Sequence, residues 1–533
     1  GWAFALAALP SVLGQERDWW CGECDALAWD MWESDAARSP ERATELLESF
    51  CGRLPPGAAK RACASAAAEL GPIFEGATVG PADKYTPHSF CAMLGACASE
   101  CCLTPVTPEQ IRLSLSASDD PSEVSVTWVT LRQPAQPVAI YGTFPDSAAC
   151  GQLHAPAFPQ SPWWGASGEG TSTANASSAT YTAAGWVGRV HTAKLDGLIP
   201  GAKYCYKVGD AADDGTWLKA TWSEPARLVF TAPLAIGSPA ATLAIIGDMG
   251  ATDASDDVMR HLTTAAHAGE LTAVLHNGDI SYADGAQSLF DAFGRKAEKI
   301  ASRVPYLTSR GNHEGYWGFR PYDARYAPGL PGSGATPYYT VALGPIRLVV
   351  LDTESAYGLA PAALGPNTAQ GAWLAEVLKA ADAPEARSRQ PWVVVAGHRP
   401  FYCAELGKKT CEIEAGILRE AVEGLFIEYH VDLVISAHVH DYERTYPLKL
   451  GEPAPAGTRG VPVYIVNGAG GCKERTQLPP SGLPAMFAFA SHAPGFARLK
   501  VEGGDAQAPS RLTWQFVRAT DGVILDEFSI DSE

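Results

Sequence analysis

No stretch of this 533-residue sequence is dense in lysine or arginine. Forty basic residues against 59 acidic ones leave a formal net charge of −19, and the sequence pI is about 5.1. A field of that sign repels a phosphate backbone, which excludes nucleic acid as a partner. Also missing is any apolar run of the roughly 20 residues needed to span a bilayer. A membrane role would need apolar surface contact, or an acidic compartment that protonates the carboxylates. Only 19% of residues are charged and 46% are hydrophobic, enough for two to four domains with buried cores. Residues 2–13 (WAFALAALPSVL) are apolar and uncharged but too short to cross a membrane. With Val12 and Gly14 ahead of Gln15, they read as the tail of a secretory signal over residues 1–15, which predicts an exported, soluble protein.

Thirteen cysteines fit an oxidising compartment, and eight of them fall within residues 21–102. The odd total leaves at least one thiol unpaired or intermolecular. Cys101, Cys102 and Cys472 have no assigned partner, so a bridge between domains or subunits, and with it an oligomer, stays open. Asn175-Ala176-Ser177 is the one N-glycosylation sequon, in a Ser/Thr/Ala/Gly-rich stretch from about Ala166 to Ala184 that reads as an exposed loop.

Three segments differ in texture. Residues 16–103 have helical periodicity: Trp20, Cys24, Leu27 and Trp32 share a face, as do Leu46, Leu47, Phe50 and Leu54. Their six cysteines in the order Cys21, Cys24, Cys51, Cys63, Cys91, Cys97 resemble the saposin B type domain. Six cysteines alone allow fifteen connectivities. The resemblance implies the nested set Cys21–Cys97, Cys24–Cys91 and Cys51–Cys63, and a small disulfide-rich helical bundle able to touch lipid or membrane peripherally. Residues 104–233 alternate apolar and polar positions at Val124, Val126 and Trp128, as a half-buried strand does. Leu198, Pro200, Tyr204 and Tyr206 have the spacing of a tyrosine corner, and the segment resembles a fibronectin type III β-sandwich in which Cys150 and Cys205 could pair. From residue 241 to 533, apolar runs alternate with amphipathic ones, as in a layered α/β domain. The strands are expected at 243–246, 273–275, 346–351, 392–396, 433–436 and 463–466, with helices at 372–380 and 417–429.

In that last segment seven metal-capable side chains each follow an apolar run. They are Asp248 in LAIIGDMG, Asp279 and Tyr282 in NGDISY, Asn312 in RGNHE, His398 in VVVAGHRP, and His438 and His440 in VISAHVHDYERT. Ligands of α/β sheets sit beyond the carboxyl ends of the strands. Two carboxylates, an amide, three imidazoles and a phenol at one sheet edge make the donor set of a two-metal hydrolytic site. Adjacent cations need a shared anion, and Asp279 is the natural bridge. Ions about 3.5–4 Å apart can hold the attacking and leaving oxygens of an in-line displacement.

These blocks, over residues 241–530, resemble the metallophosphoesterases and, within them, the purple acid phosphatases, whose plant and fungal members carry a sandwich in front. The resemblance implies a ferric ion on Asp248, Tyr282 and His440, and a divalent Zn, Fe or Mn on Asn312, His398 and His438, with Asp279 between them. Hard phenolate and carboxylate donors suit the trivalent ion, imidazoles and an amide the divalent one. The implied activity is that of a secreted or vacuolar/lysosomal acid phosphatase, in which metal-bound hydroxide attacks a phosphomonoester. His313 is the candidate catalytic residue, contacting the phosphate and stabilising or protonating the leaving group; Arg399 is a second candidate phosphate contact.

Three departures stand out. Ala437 precedes His438 where the family has glycine. After His398 the chain runs through Cys403, Lys408, Lys409 and Cys411, expected as a small disulfide loop with positive charge over the site mouth, so the general acid is left open. A saposin-like segment is unusual in this family. Two competing readings follow from it: a lipid phosphodiesterase like acid sphingomyelinase, and a lipid-binding scaffold with a dead site.

Overall fold

The computed structural model describes residues 107–115, 119–143, 171–181, 183, 186–212, 228–327, 336–354, 364–404, 409–455, 458–474, 482–503 and 509–532. The signal segment, the saposin-like segment with Cys21, Cys24, Cys51, Cys63, Cys91 and Cys97, and Cys101, Cys102 and Cys150 lie outside them.

Seven strands form the first described unit: β1 (Glu109–Leu115), β2 (Val124–Thr130), β3 (Pro137–Thr143), β4 (Thr171–Ala179), β5 (Arg189–Leu195), β6 (Lys203–Asp210) and β7 (Val229–Thr231). They pair in the order β1-β2-β5-β4-β3-β6-β7 as a β-sandwich around Leu113, Val126, Trp128, Tyr206 and Phe230. The inward positions of β2 are the alternate ones read from sequence. The Tyr204 hydroxyl accepts the Ile199 N–H at 2.9 Å, which closes the tyrosine corner. Cys205 is disulfide-bonded, and Cys150, expected as its partner, is not among the described residues. One expectation needs correction. The stretch read as a loop carries β4, with Asn175 exposed on it. Its small polar side chains give no apolar alternation; pairing on both edges, Asn175 opposite Val138 and Ala176 opposite Ala193, makes it a strand.

The second unit holds two sheets. One runs β10 (Tyr306–Ser309), β9 (Ala273–Asn277), β8 (Ala241–Ile246), β19 (Gly495–Glu502), β20 (Arg511–Arg518), β21 (Ile524–Asp531). The other runs β11 (Tyr339–Leu343), β12 (Ile346–Val350), β13 (Trp392–Ala396), β14 (Leu433–Ser436), β17 (Val463–Asn467), β15 (Tyr442–Lys449), β16 (Glu452–Pro453), with β18 (Phe487–Ser491) paired to β15. β8, β9 and β10 are parallel, as are β12, β13, β14 and β17, so both sets end on one side. Burial on both faces explains their unbroken apolar runs. In β13, Val394 and Ala396 join the core between the sheets, whereas Val393 and Val395 face Leu374, Leu378, Leu418 and Phe426 of the outer helices.

Helices cover the sheets: α1 (Asp253–Ala268), α2 (Gln287–Ala301), α3 (Arg320–Tyr326), α4 (Ala369–Ala381) and α5 (Pro384–Arg387), then an irregular helical run from Thr410 to Glu428. Thr252 and Ser255 form a capping box that starts α1, and Gly269, at φ 72°, stops it. Among the described residues no helix is long and apolar enough to cross a membrane.

The sandwich is fastened to α2 and α3. Glu298 of α2 accepts the Gln110 N–H at 2.6 Å, Tyr206 donates to the Ser302 carbonyl at 2.6 Å, and Arg325 of α3 meets Asp291 of α2 at 2.7 Å. Trp186 and Gln110 also donate to Asp291. Removing one partner of a buried ion pair strands the other charge. Arg325→Met should therefore lower unfolding free energy by about 3–5 kcal/mol in urea at neutral pH; an unchanged midpoint would refute this role.

Candidate metal centre

All seven donor residues come together where the parallel strands end. Asp248 follows β8, Asp279 and Tyr282 follow β9, Asn312 follows β10, His398 follows β13, and His438 and His440 follow β14. Four of them, Asp248, Asp279, Tyr282 and His438, have positive φ between 48° and 67°. For residues with a Cβ this conformation costs roughly 1 kcal/mol or more each, and such strain gathers at functional turns. It aims each side chain back over the strand ends. The turns approach so closely that added carbon would collide: a Cβ on Gly278 would lie 2.4 Å from the His398 ring, and one on Gly311 2.2 Å from Asp279 Oδ1. Ala437 packs its buried methyl against Gly247, whose own Cβ would come within 2.5 Å of it.

The donors fall into two groups. Ligand atoms of Asp248, Asp279 and His440 lie within 4.8 Å of one another, as do those of Asp279, His398 and His438, and Asp279 belongs to both. Tyr282 joins the first group, its hydroxyl 3.1 Å from Asp248 Oδ1 and 2.9 Å from His440 Nε2. Asn312 joins the second, its Oδ1 3.3 Å from His398 Nε2. Asp279 Oδ2 and His438 Nδ1 are buried and make no hydrogen bond. Buried polar atoms are normally satisfied, so these orphans fit metal donors. The two carboxylates, three imidazoles, amide and phenol fit a pair of ions.

Burial disfavours charge on Asp279, yet His398 and His313 beside it hold its pKa well below the usual carboxylate range. Burial also opposes protonation of His398, but Asp279, 3.2 Å away, raises it to about 9. His440 is pushed up to about 12 against burial, by Asp248 and Cys472. Burial, His398 and Arg399 together hold His438 well below its usual value.

His313 sits at the rim. Its N–H donates to Asp279 Oδ1 at 2.9 Å, its Nδ1 meets Asp284, and its ring lies 4.2 Å from that of Tyr282. Burial is outweighed by Asp279 and Asp284, which raise it to about 10. Arg399 is held by Glu354 and Glu414 at 2.9 and 2.7 Å and lies 3.3 Å from His438 Nε2. Cys403 and Cys411 form a disulfide, and Thr410 beside it reaches within 3.5 Å of His438 Nε2. Lys409 is exposed, 3.6 Å from Glu414; Lys408 lies outside the described residues.

Sequence reading missed the residues that brace the donors. Glu314 accepts N–H groups of Asp279, Ile280 and Gly311 at 2.9–3.0 Å, tying the β9 turn to the β10 turn. The fourth letter of GNHE was the available signal. Asp284, Glu354 and Glu414 gave none. Cys472 carries a free thiol and sits beside Tyr282 and His440.

The fold and donor set define a metallophosphoesterase. Residues 108–229 match the family described as purple acid phosphatase N-terminal domain, 241–442 calcineurin-like phosphoesterase, and 461–527 iron/zinc purple acid phosphatase-like protein C. Acid phosphatase type 7 of Mus musculus is 32% identical over 69% of this chain and 79% of its own. The Homo sapiens form is 32% identical over 54% of this chain, a match that spans 65% of that relative's length. Fe(3+)-Zn(2+) purple acid phosphatase 12 of Arabidopsis thaliana is 28% identical over 59% of this chain and 66% of its own. The solved purple acid phosphatase PPD1 from yellow lupin (Lupinus luteus) seeds shares the fold, with a TM-score of 0.66 and 23% identity over 80% of this chain and 75% of that one. The chain belongs to the purple acid phosphatase family.

Two tests follow. Metal needs bare nitrogen, and without metal His398 and His440 hold protons below about 9 and about 12. Metal uptake by stripped protein should therefore release protons, and affinity should rise with pH toward about 9, read by pH-stat and competition titration. Affinity that falls over that range would contradict the protonation scheme. Glu314→Ala leaves three buried N–H groups without an acceptor, at about 1–3 kcal/mol apiece. It should lower Tm and weaken metal retention together, and an unaltered variant would rule out the brace.

Proposed function

We propose that this chain is a secreted or vacuolar/lysosomal acid phosphatase that hydrolyses phosphomonoesters at an Fe(III)–M(II) pair, M being Zn, Fe or Mn. The carrying observation is the Asp279 carboxylate common to two donor groups, one of which includes a phenol. In this reading Asp248, Tyr282 and His440 would hold the ferric ion, Asn312, His398 and His438 would hold the divalent one, and Asp279, common to both groups, would serve both. When bound, the pair supplies Lewis acidity that polarises a phosphoryl oxygen and acidifies water. The relative named for Fe(3+) and Zn(2+) supports the metal choice.

The protein's own part is positional and protonic. Without metal, His398 and His313 hold the Asp279 pKa low against burial, and bound cations would favour the ionised form in the same sense. Asp284 takes the Nδ1 side of His313 and leaves Nε2 to donate toward a phosphoryl or leaving-group oxygen. In the metal-free protein Asp279 and Asp284 raise His313 to about 10 against burial, which favours that proton at acid pH. Arg399, paired to two glutamates, orients His438 in this reading and is kept as the second candidate phosphate contact.

The domain scheme belongs to the same proposal: signal remnant 1–15, saposin-like segment 16–103 with peripheral lipid contact, fibronectin type III-like sandwich 104–233 glycosylated at Asn175, and catalytic domain 241–533. The tyrosine corner and exposed Asn175 support the sandwich part.

Elemental analysis with a visible spectrum tests the centre. Two metal ions per chain and a ferric–phenolate band lost in Tyr282→Phe are expected. Asn312→Ala and His398→Ala should each cut kcat/KM on a soluble phosphomonoester by more than about a hundredfold, beyond what loss of an outer support costs. A colourless, zinc-only active enzyme would overturn the ferric assignment, and full activity in either alanine variant would overturn the ligand set.

A further inference from the structure

Strands β12, β13, β14 and β17 present the donors at their carboxyl ends. At their amino ends, on the opposite pole, lies a cavity of about 640 Å³ bordered by Pro345 and Pro391. Five residues of strand at about 3.3 Å each put roughly 17 Å between the two poles. Arg387, Arg389, Arg459 and His430 line this cavity, an unusual gathering of basic side chains in a chain of net charge −19.

The three arginines are not equivalent. Arg387 is fully engaged, with Asp382, Asp432 and the carbonyls of Pro391, Tyr429 and His430. Asp382, a carboxylate lining the cavity, is shared between Arg387 and His430. Arg459 donates one N–H to the Pro391 carbonyl at 2.5 Å and lies over the Trp392 ring at 4.6 Å, but its Nη1 is buried with no partner. Arg389 is exposed, and among the described residues its guanidinium meets no carboxylate. A guanidinium fork matches the oxygens of a tetrahedral oxyanion, and Arg389 and Arg459 both line the cavity. The volume falls in the range of small-molecule sites.

We infer that this cavity is a second binding site for a phosphate-class oxyanion, free or carried on a small organic group, with Arg459 and Arg389 as its charged contacts. It is independent of the metal donors, and binding there needs no turnover.

Calorimetric titration of the metal-loaded full-length protein tests it, using inorganic phosphate in one arm and non-hydrolysable phenylphosphonate in the other. Two binding events per chain are expected. Asn312→Ala should remove only the event at the metal pole. Arg389→Gln and Arg459→Gln should weaken only the other, by about tenfold or more, as loss of a charged hydrogen bond does. Arg389→Gln should keep kcat/KM unchanged. Binding of both probes at this pole marks a site for the oxyanion itself; binding of phenylphosphonate alone marks one for organic esters. A single Asn312-sensitive event in the parent protein, or a second event untouched by Arg389→Gln, overturns the inference. Arg389 is exposed, so its variant decides even if Arg459→Gln does not fold. A faulty metal assignment would show separately, as indifference of both events to Asn312→Ala.

Discussion

Asp279 is an ionised carboxylate at 1% exposure, and most of the site can be read as the means of keeping it there. Left alone in a dry pocket it would take up a proton. His398 and His313 prevent that, one from β13 and one from the turn after β10. Both elements end within a few ångströms of the β9 turn, an approach that the parallel strands of the two sheets provide.

Closeness has its own conditions. Gly278 and Gly311 exist because the His398 ring and Asp279 itself occupy the space a side chain would need. Gly468 does the same under Val439 and Asp248, where a Cβ would lie 2.1 Å from the Val439 carbonyl oxygen. Backbone that approaches this tightly needs acceptors for its N–H groups. Glu314 serves three of them, and Asp248 Oδ2 accepts the His438 N–H at 2.7 Å. Asp248 thus belongs to the candidate donors and also clamps the turn that carries another of them. The cost of four left-handed residues is offset by these bonds and by the buried core beneath.

Much of this was legible in the sequence, for physical reasons. The apolar runs at 392–396 and 433–436 are strands because both faces are buried, and the polar residue that ends each run has to leave the sheet. Helix 369–381 extends the expected 372–380 by its Thr368 cap. The partners of the donors were hidden: Asp284, Glu354 and Glu414 act across folds of the chain, and only three dimensions pair them with His313 and Arg399. β4 was read as a loop because pairing, and not burial, holds it. The strands β19 to β21 escaped notice although Leu512, Trp514 and Phe516 alternate inward with the period of two that strands require.

The sandwich also bears on the site, through the two helices it grips. Gln287 and Asp291 of α2 bond Tyr181 and Trp186, and Arg325 of α3 bonds Tyr181 and Gln110. The turns just before those helices carry Asp284 and Gly285 on one side and Trp317 on the other, joined by the Trp317 indole donating to the Gly285 carbonyl at 3.3 Å. His313 lies between them, fixed by Asp284. A shift of α2 against α3 would therefore move the rim histidine relative to Asp279, while the donors anchored on β8, β13 and β14 stayed in place. On this geometry the sandwich bears on the position of the rim histidine and leaves the candidate donors to the sheets, which gives the β-domain a physical reason to accompany the fold.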